Sequence, residues 1–169
     1  MASFEKSLVI RKSTLPGAGK GLFTKVDIAK GERITEYKGK RMTWAEAQKL
    51  PDYRNGYIFY FTRNHVIDAW GTRKGVAHFA NDARGIVRIT GTRNNSEYVT
   101  EGTRCYIEAS RNIRAGEEIL VAYGPDYWKV IRENLREEQK EARKKANEGS
   151  KGKRPELPHH LAAKRLAKQ

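Results

Sequence analysis

The 169-residue chain carries 34 Lys and Arg against 20 Asp and Glu, a formal net charge of +14, with 38% apolar residues. This length fits one domain, and a single cysteine, Cys105, excludes an intramolecular disulfide framework and any cysteine-rich zinc cluster. No stretch approaches the ~20 consecutive apolar residues of a membrane span, and Met1 to Lys6 lack the apolar core of a secretory signal, so an intracellular protein held by packing alone is expected.

Short apolar runs punctuated by Gly, Asn, Asp and Pro fill residues 7–128 and predict many short strands. Ser7 to Arg11 reads as the first and Gly21 to Thr24 as the second, after the turn Pro16-Gly17-Ala18-Gly19. A turn over 27–32 leads to a strand from Arg33 to Gly39. Thr43 then opens a short helix as N-cap, with Glu46 completing a capping box and Pro51 just beyond the end. Residues 57–61 and 65–69 are aromatic or β-branched and predict two strands around Arg63-Asn64. The polar segment 86–95 reads as a loop or hairpin, and Tyr98-Val99 pairs with Arg104 to Ala109 across Glu101-Gly102. A turn over 113–118 precedes a last strand, Ile119 to Tyr123.

From Trp128 the period becomes helical. Trp128, Ile131 and Leu135 share a face that docks on the core, while Glu137 to Glu148 is almost wholly polar, a solvated helix with an i,i+4 pair from Glu141 to Lys145. The organisation expected is a folded domain over 7–128, a C-terminal helix over 129–148 and a basic tail without order over 149–169. Residues 129–169 hold 13 Lys and Arg against 6 Asp and Glu, half of the net charge. A balance this basic favours a polyanion such as DNA as neighbour, through the C-terminal tail in particular.

Taken singly, the motifs say little. Gly17-Ala18-Gly19-Lys20-Gly21 is not a phosphate loop, because no Lys-Ser/Thr pair ends it and a strand follows. A turn allowing close backbone approach is the plain reading. Asn81, after Phe79-Ala80, reads alone as a turn cap. His78 has no second ligand at metal spacing, so no metal site is expected. Cys105 reads as a small buried hydrophobe. Tyr123-Gly124-Pro125-Asp126-Tyr127-Trp128 packs three aromatics into six residues, either a core edge or a pocket lining.

Taken in order, these pieces resemble the SET domain. Gly19-Lys20-Gly21-Leu22-Phe23 is similar to its Gly-x-Gly motif and Glu36-Tyr37-Lys38-Gly39 to its Tyr-x-Gly. Val66-Ile67-Asp68-Ala69 resembles the strand before its Arg-Phe-Ile-Asn-His-Ser-Cys-x-Pro-Asn segment. Phe79-Ala80-Asn81 stands at its Phe-Ile-Asn, and Asn94-Asn95 at its Pro-Asn. Gly116-Glu117-Glu118-Ile119 to Tyr123-Gly124 is similar to its closing Gly-Glu-Glu-Leu and Tyr-Gly. The resemblance runs from about Leu8 to Trp128 and is greatest to the minimal viral members, which share Asp-Tyr-Trp after the final Tyr-Gly. Two departures stand out. Asp82-Ala83-Arg84 replaces His-Ser-Cys, and a longer insertion precedes Asn94-Asn95.

The resemblance implies a mostly β fold of several short sheets with a threaded pseudoknot and a C-terminal α-helix. It implies a protein-lysine N-methyltransferase using S-adenosyl-L-methionine, and the basic balance, which DNA attached to a basic tail would attract, adds a histone tail in chromatin as the expected substrate. The location would then be the nucleus of a eukaryote or of a virus's eukaryotic host. Tyr123 would be catalytic. Lys20, Gly21, Leu22 and Asn81 would contact the cofactor, with Trp128 stacked on its adenine. Tyr37, Tyr60 and Tyr127 would line the channel for the substrate lysine, closed by Tyr127 to Leu135. Two alternatives accompany this reading: a degenerate SET-fold module that binds protein or nucleic acid without catalysis, and a methyltransferase for a non-histone protein.

Overall fold

The computed structural model describes residues 4–85 and 87–148; the expected tail over 149–169 lies outside them. In chain order the strands are β1 (Leu8–Lys12), β2 (Lys20–Thr24), β3 (Arg33–Glu36), β4 (Lys40–Met42), β5 (Ile58–Thr62), β6 (His65–Asp68), β7 (Ser96–Glu101), β8 (Arg104–Ala109) and β9 (Glu118–Ile119). The helices are α1 (Trp44–Ala47) and α2 (Pro125–Glu148). The strands form three antiparallel three-stranded sheets, ordered β1-β2-β9, β3-β8-β7 and β4-β6-β5. The mostly β architecture of small sheets with a C-terminal helix is the one the sequence predicts.

Local chemistry accounts for most boundaries. Thr43 Oγ1 accepts from the Glu46 N–H while Glu46 Oε2 accepts from the Thr43 N–H at 2.7 Å, the reciprocal box that starts α1. The strand expected over 33–39 stops at Glu36. Tyr37 turns into the core there, and Gly39 lies so close to the Asp68 carbonyl that an added Cβ would sit 2.2 Å from its oxygen. The chain resumes pairing as β4, a strand the sequence does not announce. Helix α2 begins at Pro125 rather than at residue 129, since proline's fixed φ and missing N–H suit a first helical turn. Gly124, at φ +95°, makes the bend before it.

One principal core lies beneath the sheets, built from Leu22, Ile34, Ile107, Ile119 and Val121 with Tyr37, Tyr123, Tyr127 and Ile131. Tyr127 and Ile131 are buried and Leu135 half-buried, which docks the first turns of α2; residues 136–146 are exposed.

The segment 118–121 is held from several sides. It pairs with β2 and makes parallel bridges from Leu120 to Asn81 and from Val121 to Ser96. Asn95 is buried there, its amide donating to the Glu118 carbonyl at 2.7 Å and accepting from the Leu120 N–H at 2.8 Å. Residues far apart in sequence thus meet on the stretch that leads to Tyr123.

Candidate active site

Tyr123 leaves this clamped segment and turns inward. Its hydroxyl donates to the Ala80 carbonyl at 2.7 Å, and its backbone N–H donates to Asp82 Oδ2 at 2.8 Å. Both ends of the residue are therefore fixed by the 80–82 segment. The ring stacks on Trp128, with centroids 5.9 Å apart and planes 15° apart, and Tyr127 stands edge-on at 5.0 Å. Burial, and after it the neighbouring tyrosines led by Tyr98, push its phenol well above the ordinary tyrosine range. Tyr123 is a neutral hydroxyl at physiological pH.

Tyr37 joins this group. It is fully buried, its hydroxyl donates to the Tyr57 carbonyl at 3.0 Å, and its ring packs against Phe59 at 5.4 Å and Tyr98 at 6.1 Å. Tyr127 is also fully buried, and burial pushes its phenol upward, with Asp82 adding to the shift. Of the three tyrosines expected to line a channel, Tyr37 and Tyr127 are brought into the cluster and Tyr60 is not. Along β5 the side chains alternate: Phe59 and Phe61 face the principal core, while Tyr60 turns to the small cluster with Ile58 and Val66 and packs edge-on against Trp44 at 5.4 Å. Strand parity places Tyr60 on the opposite face from Phe59 and Phe61.

Tyr98, which sequence reasoning passed over as an ordinary strand residue, takes a place in the cluster. Its ring meets Phe59 at 5.1 Å, and its buried hydroxyl has no hydrogen-bond partner among the described residues. Burial drives its phenol well above the usual range. A signal was available: Ser96 and Tyr98 share one face of β7, with exposed Glu97 between them, so a strand end held at Asn95 and Ser96 carries Tyr98 inward.

The candidate cofactor residues assemble beside this cluster. Asn81 Nδ2 donates to the Lys20 carbonyl at 2.9 Å and to Glu118 Oε1 at 3.3 Å, tying the glycine turn to the central segment. Glu118 is buried and also accepts from Ser13 Oγ at 2.6 Å, the Thr14 N–H at 2.8 Å and Thr14 Oγ1 at 2.6 Å. A Cβ at Gly21 would lie 2.2 Å from Glu118 Oε1, so only glycine fits above that carboxylate. Leu22 is fully buried and paired on both edges, with Ile10 and Ile119, so it anchors the strand behind the turn. Of the rim formed by Lys20, Gly21, Asn81 and Trp128, Lys20 is exposed, Asn81 and Trp128 are half-buried and Gly21 is buried.

Asp82 is the second buried carboxylate. Oδ1 accepts from the Arg84 N–H and Asn94 Nδ2, each at 2.8 Å, and Oδ2 accepts from the Tyr123 N–H at 2.8 Å and Trp128 Nε1 at 2.7 Å. Asn94 Oδ1 in turn accepts from the Ala83 N–H at 2.8 Å, closing the base of the 84–93 loop. Cys105 is fully buried, its thiol pushed up to about 12 chiefly by burial, and is chemically quiet.

Small sheets clasping one central segment, with a buried tyrosine at its end and a glycine turn beside it, define a class. The chain belongs to the SET domain family, whose profile matches residues 19–124. Among related proteins, the histone-lysine N-methyltransferase EZH2 of Chaetomium thermophilum is 30% identical over 132 residues, covering 72% of this chain and 8% of that protein. A variant-silencing SET domain-containing protein of Plasmodium falciparum is 31% identical over 136 residues, 74% of this chain and 5% of the relative. The histone-lysine N-methyltransferase set-1 of Caenorhabditis elegans is 27% identical over 139 residues, 77% of this chain and 55% of the relative. The chain thus spans less than two thirds of each of these relatives. Among solved structures, a humanized mutant of the Chaetomium thermophilum Polycomb Repressive Complex 2 bound to the inhibitor GSK126 superposes with a TM-score of 0.57 at 26% identity, covering 73% of this chain and 15% of that one.

Proposed function

We propose that the chain is an S-adenosyl-L-methionine-dependent protein-lysine N-methyltransferase. The observation that carries this reading is the convergence of buried Tyr37, Tyr123 and Tyr127 with half-buried Tyr98 beside the Lys20, Gly21 and Asn81 rim. When bound, held by Lys20, Gly21, Asn81 and Trp128, the cofactor would supply an electrophilic methyl for a lysine amine that has already given up its proton.

The protein's part is to prepare the amine and hold it in line. Free lysine, with a pKa near ~10.4, is almost wholly charged at neutral pH. Aromatic walls from Tyr37, Phe59 and Tyr127 disfavour that charge by desolvation. The Tyr98 hydroxyl, unpartnered among the described residues, would offer the amine a hydrogen bond, and the Tyr123 hydroxyl, fixed by its donation to Ala80, would orient the reacting centre. Such positioning is worth up to about 7–11 kcal/mol for well-oriented reactants. The Asp-Tyr-Trp run that begins α2, also the likeness to the minimal viral members, closes the site through Tyr127 and Trp128.

The substrate we infer is a histone lysine in chromatin, which would place the protein in the nucleus. The names of the relatives support this, and so does the charge on α2. Lys129, Arg132, Arg136, Lys140 and Arg143 are exposed and recur every three or four residues, a basic stripe about 21 Å long. Lys140 is also paired with Glu137. Such a stripe suits a DNA backbone and would offset the repulsion between a basic enzyme and a basic tail. Mass spectrometry of histone octamers and nucleosomes incubated with methyl-labelled cofactor tests the proposal. Lysine labelling, stronger on nucleosomes and weakened there by charge reversal at Arg132, Arg136 and Arg143, is expected. Cofactor binding without transfer to any protein would leave a binding module instead, and transfer confined to non-histone proteins would move the substrate.

A further inference from the structure

We propose that two buried carboxylates, Asp82 and Glu118, make the cofactor pocket prefer a positively charged sulfonium over the neutral thioether it becomes. The inference rests on the cofactor reading above and goes beyond it by naming what discriminates donor from spent product.

Among the described residues three acids are deeply buried: Asp68, Asp82 and Glu118. Asp68 is paired with Arg54. Among the described residues neither Asp82 nor Glu118 forms a salt bridge, although the chain has 34 Lys and Arg from which a partner could be drawn. Their hydrogen bonds come from uncharged donors: the Arg84 and Tyr123 N–H groups, the Asn94 amide and the Trp128 indole for Asp82, and Ser13, Thr14 and the Asn81 amide for Glu118. Each Asp82 oxygen receives two N–H donors, a setting made for a carboxylate. Burying a charge without a counter-ion is costly, and dipoles lower that cost without neutralising the charge.

Each carboxylate touches part of the same candidate cofactor rim. Glu118 lies beneath Gly21 and bonds Asn81, which bonds the Lys20 carbonyl. Asp82 follows Asn81 in the chain and bonds the Trp128 indole. The reach of Asp82 is visible in Tyr127, whose phenol it helps to hold un-ionised. A cation entering this rim meets two negative charges in a setting of reduced dielectric, and it loses that attraction when methyl transfer makes it neutral. The preference would keep spent product from holding the site.

Calorimetric titration with S-adenosylmethionine and with S-adenosylhomocysteine tests this, scoring the ratio of the two Kd values. Asp82→Asn and Glu118→Gln should each reduce the preference for the charged ligand by about threefold to tenfold. Trp128→Phe removes a donor to Asp82 but keeps the charge, and it should weaken both ligands while leaving their ratio within about twofold. Should Asp82→Asn not fold, because its amide would face N–H donors, Glu118→Gln decides alone. An unchanged ratio in folded charge-removing variants overturns the inference and leaves the cofactor reading standing. A wild-type protein that binds neither ligand at millimolar concentration overturns both.

Discussion

The hydroxyl of Tyr123 donates to the carbonyl of Ala80 at 2.7 Å, joining residues 43 positions apart. The proton is thereby committed to the segment that also carries Asn81 and Asp82. Catalytic and cofactor candidates are bound into one unit by this contact.

Removing the Tyr98 hydroxyl should separate function from stability. A buried hydroxyl without a partner costs about 1–3 kcal/mol, so Tyr98→Phe should leave the thermal midpoint unchanged or raise it. Methyl transfer should slow in the same variant, since the amine loses a partner. A fall in both would mean the hydroxyl supports the fold.

Asn95→Ala should be among the most damaging single changes. It removes two short hydrogen bonds and strands a buried N–H and carbonyl at 118–120, a loss of roughly 3 kcal/mol. Urea denaturation reads this directly, and a loss below about 1 kcal/mol would contradict the clamp assigned to it.

Arg54→Ala leaves buried Asp68 with the Trp70 N–H as its remaining hydrogen-bond donor among the described contacts. Stranding a buried carboxylate costs about 3–5 kcal/mol. Denaturation at neutral pH should show a loss of that order, with part of it recovered in Arg54→Lys.

The protein should lose stability in alkali more steeply than its size suggests. Tyr37, Tyr98, Tyr123 and Tyr127 have phenols raised by burial in the folded state, against about 10 in the unfolded chain. Below pH ~10 both states hold these protons and the stability is full; above it the unfolded state releases them first, so stability falls as pH rises. Each tyrosine contributes up to about 1.4 kcal/mol per pH unit, and Tyr98→Phe should reduce the slope by about one such share. Urea midpoints between pH 9 and 11 measure it; a flat profile would contradict the burial of the cluster.

Much of this was legible in the sequence. The capping box at Thr43 and Glu46, the helical spacing of Ile131 and Leu135, and the ordered motifs each rest on chemistry local to a few residues. What escaped is set by packing over long separations. Tyr60 and Phe59 are equally aromatic, and only the pairing of β5 with β6 decides which faces the cluster. Strand β4 forms because Gly39 can approach Asp68, a contact no local pattern encodes. Asp82 reads in sequence as a departure from a motif. Its hydrogen bonds to Tyr123 and Trp128 reveal a clasp.

The most direct test compares transfer of a labelled methyl group to lysine by the wild-type protein and by Tyr123→Phe, with cofactor affinity measured alongside. Transfer by the wild type, a drop of about 100-fold or more in the variant and cofactor affinity little changed are predicted. Equal transfer by both proteins would remove Tyr123 from the reaction and contradict the account.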